Sequence, residues 1–114
     1  MAKIAFWITA GPDQANKALS ALVLAQRLRT VRHQQDVEVY LFGPGVALTT
    51  AGIPAIQQAL AALKESEVRT RACPANVRQM GLDEQVVSAT GVVLEPAGAV
   101  IVDLVDQGYQ IIGV

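Results

Sequence analysis

A chain of 114 residues, 52% of them hydrophobic, is long enough for one domain with a real core and too short for two. A net charge of −1, with nine basic residues spread along the chain, offers no footprint for nucleic acid. The apolar run Ile4–Ile8 is too short for a membrane span or a signal-peptide core, and one cysteine forms no internal disulfide, so a reducing, cytoplasmic setting is expected.

The first element is a buried strand over Lys3–Thr9, β-branched and aromatic, with Trp7 expected in the core and Gly11-Pro12 as its stop. Asp13 is an acceptable N-cap for a long helix. Ala15, Ala18, Leu19, Leu22, Ala25 and Leu28 recur there at helical spacing, and the helix fades in the polar run Thr30–Gln35. Val37–Phe42 reads as a second strand, closed by Gly43-Pro44-Gly45. After a loop at Thr49–Gly52, the stripe Ile56, Ala59, Leu60 and Leu63 marks a second helix.

Val68–Ala72 is a short third strand. Its alternation puts Arg69 and Arg71 on one face with Cys73, and Val68, Thr70 and Ala72 on the other. Residues 74–80 predict a short helix with Gly81 just past its end. Gln85–Ala89 predicts a weak fourth strand. Glu95-Pro96 opens a last helix striped by Ala97, Val100, Ile101, Leu104 and Val105, and Tyr109–Val114 is the final strand.

Strands alternating with amphipathic helices imply parallel pairing through right-handed crossovers. The expected fold is a single-domain α/β, three-layer α/β/α sandwich with an open, mainly parallel five-stranded sheet, spanning residues 1–114. Aromatics are scarce (4%), so small aliphatics must pack the layers. Low charge (17%) leaves apolar surface for partner subunits, so a homo-oligomer is expected.

Ligands of such sheets gather beyond the carboxyl ends of the strands. Three loops lie there: Ala10–Asp13, Gly43–Val46 and Cys73–Asn76. Cys73 precedes Pro74, which suits the first helical position, so Cys73 is an N-cap facing free backbone N–H groups. Arg71 and Arg69 project to its side and Arg78 follows about one helical turn later, so an anionic sulfur has two sources of stabilisation. Set against this, cysteine is often an inert core residue.

The remaining residues point nowhere else. Gly11-Pro12-Asp13 offers backbone N–H groups to an anion or is simply a turn and cap. No phosphate loop or dinucleotide fingerprint occurs, so no cofactor is expected. One His (His33, read as solvated surface) and one Cys make no metal site. Glu95, Asp103 and Asp106 read as a solvated face of the last helix.

The run Ile4-Ala5-Phe6-Trp7-Ile8-Thr9-Ala10-Gly11-Pro12, then Lys17-Ala18, Ala21-Leu22, Val37–Phe42, Gly43–Leu48 and above all Ala72-Cys73-Pro74-Ala75-Asn76-Val77-Arg78-Gln79-Met80-Gly81-Leu82, resembles the DsrE/DsrF-like family of small sulfur-relay proteins, which includes YchN-type members. The resemblance covers nearly the whole chain. It implies a first strand near the sheet centre, assembly into trimers or hexamers, and a cysteine at the position of Cys73 that accepts sulfane sulfur as a persulfide and passes it on. Many relatives carry a second cysteine three positions later. Asn76 stands there, so a local dithiol is excluded and a one-cysteine relay remains.

The resulting expectation is a sulfur carrier or sulfurtransferase-like relay, not a multiple-turnover enzyme. Cys73 is its nucleophile, Arg71 and Arg78 steady the thiolate, and Asn76 with the Gly11-Pro12 loop supplies hydrogen bonds. The expected partners are a rhodanese-like sulfur donor and a small thiol carrier, with no nucleic acid and no membrane. The alternative is a non-catalytic oligomeric binding or scaffold subunit in which Cys73 is structural.

Overall fold

The computed structural model describes residues 2–114. Its elements in chain order are β1 (Lys3–Ile8), a 3-10 turn (Pro12–Gln14), α1 (Ala15–Thr30), β2 (Asp36–Leu41), a longer 3-10 run (Gly43–Thr49), α2 (Pro54–Glu65), β3 (Arg69–Ala72), α3 (Pro74–Gln79), α4 (Glu84–Ala89), β4 (Val93–Leu94), α5 (Ala97–Asp106) and β5 (Gln110–Gly113). All four strand pairings are parallel and the order is β4-β3-β2-β1-β5. The expected α/β sandwich on a five-stranded sheet is therefore the observed one. Strand β1 lies inside the sheet, one place from the centre, which β2 takes.

The register sorts the side chains by face, because parallel partners point the same way and successive residues alternate. Phe6, Ile8, Val39, Leu41 and Ala72 share one face and are buried. Helices α1 and α2 pack side by side, each burying a stripe of small aliphatics: Ala18, Ala21, Leu22 and Ala25 on one, Ile56, Ala59, Leu60 and Leu63 on the other. Trp7, Glu38, Tyr40, Arg69 and Arg71 share the opposite face. The chain steps outward from β1 to β4 and then returns across the whole sheet to β5. A right-handed return puts α5 on the face that α1 and α2 leave open. The contacts on either side of α5 agree, since Glu95 and Tyr109 both bond to the polar face. One ten-residue helix thus covers that face.

Three sequence expectations give way here. Gln85–Ala89 is helical, not a strand, because the Asp83 carboxylate caps it by accepting from Gln85 N (2.8 Å) and Val86 N (3.4 Å). The fourth strand is Val93–Leu94, entered after Gly91 at φ +90°. Asp13 does not cap α1: Gly11-Pro12 first winds a 3-10 turn, with Gln14 N donating to Gly11 O (2.8 Å), and the α-helix starts only at Ala15. Pro96 is the N-cap of α5 and Glu95 still belongs to the sheet, its N donating to Ala72 O (3.1 Å).

The loop after β2 is packed onto the end of β1. A Cβ on Gly45 would sit 2.1 Å from Ile8 O, while one on Gly43 meets nothing and only φ (+56°) resists it. Gly45→Ala is therefore expected to cost about 3 kcal/mol by overpacking, and Gly43→Ala about 1 kcal/mol by backbone strain. Urea midpoints at unchanged slope measure both; equal losses would contradict the packing assignment.

Candidate functional site

The three loops anticipated at the carboxyl ends of the strands do converge. Gly11 packs against Pro44, where an added Cβ would lie 2.8 Å from Pro44 O. Gly43 N donates to Asn76 Oδ1 at 2.8 Å, which ties the second loop to the third. Cys73 leaves the sheet at this point. Its N donates to Leu41 O (3.1 Å), it is the N-cap of α3 in extended conformation, and no side-chain capping bond forms. Only 5% of Cys73 is exposed. The Tyr40 hydroxyl, from the neighbouring strand on the same face, lies near the thiol and donates to Glu95 O (2.8 Å). Burial first, then the adjoining Cys73 and, least, Glu95 lift Tyr40 well above the ordinary tyrosine range against the opposing Arg71 charge, so it stays a neutral hydroxyl.

The arginines are placed differently from what a thiolate-stabilising role needs. Arg71 is on the Cys73 face but only 1% exposed, and its two terminal nitrogens each take a carboxylate: Nη2 to Glu38 Oε1 and Nη1 to Glu95 Oε2, both at 2.5 Å. Arg69 lies outside this pair, 3.8 Å from each of the same carboxylates. Tyr109 donates to the second oxygen of Glu38 (3.2 Å). The result is a charge-balanced cluster on the polar face, running from the residue before β5 to the residue after β4. Among the described residues, Arg71 Nε is the one buried side-chain polar atom without a hydrogen-bond partner. Arg78 makes an exposed pair with Glu84 (3.2 Å). Asn76 spends its carbonyl on Gly43 and its amide on Gln79 (3.0 Å).

The sequence reading thus anticipated the meeting of the three loops around Cys73, and missed the cluster beneath them. Glu95 is not part of a solvated helix face. It is a partner of a buried guanidinium, since the chain is still in the sheet at that point. Trp7 is not fully core: it stacks on Tyr40 (4.4 Å between centroids) and leans on Phe42 (5.5 Å) on the thinly covered face. Glu38, with 9% exposed, drew no attention in the sequence. The available signal was a lone Glu inside the apolar strand Val37–Phe42, one strand and 33 residues before the Arg71 that answers it.

Two predictions follow from the cluster. Removing Glu38 leaves one terminal nitrogen of a buried guanidinium unanswered, with only Glu95 still paired to it, so Glu38→Ala is expected to cost about 3 kcal/mol. The double variant Glu38→Leu/Arg71→Met should cost far less, and equal losses in a double-mutant cycle would show that the pair is not coupled. The second concerns alkali. Burial first, and then the Glu38 charge, push Tyr109 from 10.0 up to about 12. Its contribution to stability is whole below pH 10 and is lost as pH rises through about 12, because the unfolded chain sheds the proton first. Urea unfolding across that window should show stability falling with pH, less steeply in Tyr109→Phe. An unchanged slope would contradict the assignment.

A model of the DsrE/DsrF-like family matches residues 2–114. No curated protein matches the chain. Among solved structures, the YchN protein of E. coli is similar over the full length of both chains (20% identity, TM-score 0.80). So is a conserved protein of unknown function from Bacteroides thetaiotaomicron, over 96% of this chain and 94% of that one (13% identity, TM-score 0.80). A protein of unknown function from Methanobacterium thermoautotrophicum matches over both full lengths at 19% identity and TM-score 0.71. At these identities the likeness is one of fold.

Proposed function

The chain belongs to the DsrE/DsrF-like family, a family associated with sulfur relay, and on that footing we propose that it is a small cytoplasmic sulfur carrier working through Cys73. The observation that carries the reading is the position of the chain's single thiol. It stands at the carboxyl edge of a parallel sheet, where three loops meet, with the Tyr40 hydroxyl against it.

The chemistry needs no cofactor. The Cys73 thiolate attacks the outer sulfur of a donor persulfide; a new S–S bond forms at Cys73 as the donor's S–S bond breaks, and the donor leaves as a thiolate. An acceptor thiolate then attacks the outer sulfur, and Cys73 is released as thiolate. The two exchanges leave the carrier's oxidation state unchanged over a cycle. Tyr40 would donate to an anionic sulfur by turning its one proton from the Glu95 carbonyl. Arg71 holds the sheet beneath, and Asn76 fixes the loop around it. The donor is a rhodanese-like or other persulfidated protein and the acceptor a small thiol carrier.

A second reading, a scaffold subunit with a structural cysteine, is favoured by the burial of Cys73 and by the carboxylates already answering Arg71 and Arg78. Intact-mass spectrometry after incubation with polysulfide separates the two. The relay predicts the gain of one sulfur atom in wild type, none in Cys73→Ser, and its loss on adding a small thiol. Wild type that stays unmodified supports the scaffold, and identical adducts in both proteins would remove Cys73 from the account.

A further inference from the structure

Tyr40 has one hydroxyl proton and two neighbours that can accept it. The register sets Tyr40 opposite Arg71, two residues before Cys73 on the same face, and sets Ala72 opposite Leu94, which brings Glu95 alongside Cys73. The proton goes to Glu95 O at 2.8 Å, and among the described residues no other donor meets that carbonyl.

The junction between β4 and α5 depends on Glu95. Its N donates to Ala72 O (3.1 Å), its carboxylate pairs with Arg71, and its carbonyl takes the Tyr40 proton. Beyond it the chain is loosely held. No side chain in residues 95–99 is buried, Pro96, Gly98 and Ala99 are exposed, and a Cβ on Gly98 would meet open space. The first core residue of α5 is Val100. A neutral thiol is a weak acceptor and leaves the hydroxyl with the carbonyl. An anionic sulfur wins it, because a charge-assisted hydrogen bond is about twice as strong as a neutral one.

We propose that Tyr40 is a latch that responds to the charge on the sulfur: when Cys73 becomes anionic the hydroxyl turns to it, the Glu95 carbonyl loses its donor, and the junction at residues 95–99 loosens toward water. The proton stays on Tyr40 and no covalent bond changes. The inference deepens the sulfur-carrier reading and rests on it for its use, since a sulfur covered while neutral is uncovered for exchange once it carries charge. The groups facing the hydroxyl are Cys73, Arg71 and Glu95, with Glu38, Arg69 and Tyr109 beyond them, and α5 turns Val100 and Leu104 inward.

Amide exchange followed by NMR at Glu95 and Val100, whose N–H groups donate to Ala72 O and Pro96 O, reads the junction directly. Wild type is compared with Cys73→Ala at each pH, so that intrinsic exchange and the titration of every shared group cancel in the ratio. Below the ionisation midpoint of the thiol, followed by its ultraviolet absorbance, the ratio should be one. Above it both amides should exchange at least about threefold faster in wild type, while Phe42, bonded to Ile8 O, keeps a ratio of one. In a Tyr40→Phe background the ratio should be one throughout. A wild-type ratio that never leaves one, a rise shared by Phe42, the same step in Tyr40→Phe, or a thiol that never ionises in the folded chain would each overturn the latch. Should Tyr40→Phe fail to fold, the wild-type ratios at the three amides decide alone. No sulfur donor is present, so a failure to take up sulfur strikes the carrier reading and leaves this result standing.

Discussion

One guanidinium organises the polar side of this sheet. Arg71 is buried on a β3 strand of only four residues, and it survives there because Glu38 from β2 and Glu95 just after β4 each take one of its terminal nitrogens. Breaking up such a buried pair costs a large share of what a small domain holds in net stability. The cluster therefore acts as a registry device. Glu38 must stand opposite Arg69 and beside Arg71, Glu95 must follow Val93 in register, and Tyr109 must come round after α5 to reach Glu38. A slip of one residue would turn every one of these groups to the aliphatic face. Such specificity does not require that the pair add net stability over apolar replacements.

The same cluster defines the setting of Cys73. The arginine that shares its face is neutralised by two carboxylates, so the chemistry open to the thiol depends on its place at the strand end and on Tyr40. That tyrosine links the two regions. Its hydroxyl holds the Glu95 carbonyl, lies against the sulfur, and its ring stacks on Trp7. That hydroxyl spends its one proton on the Glu95 carbonyl, so in the proposed relay it would serve an anionic sulfur by turning from that bond.

The sheet, the long helices and the loops around Cys73 were legible because each rests on local pattern: period-two or helical spacing of aliphatics, bounded by Gly and Pro. The element misread, Glu84–Ala89, is six residues long, and there a capping Asp outweighs a Val-Val pair. The ion cluster was not legible because its members lie 33 and 24 residues apart and become neighbours only through strand order. Arg71 was read as a resource for the sulfur because strand alternation puts it on the side of Cys73. The acids arrive from two other strands. Glu95 was assigned to a helix because Pro96 opens helices so often, and the difference of one residue moved its carboxylate from solvent to the buried guanidinium.

The sulfur-carrier account stands on the thiol being reached while the domain remains folded, despite its 5% exposure. The direct measurement is the alkylation rate of Cys73 as a function of urea below the unfolding transition. A rate that stays flat, set by a small local opening of the α3 loop, is the result the account predicts. A rate that climbs with urea in step with the global unfolding constant would mean that the sulfur is reached only in the unfolded chain, and would contradict it.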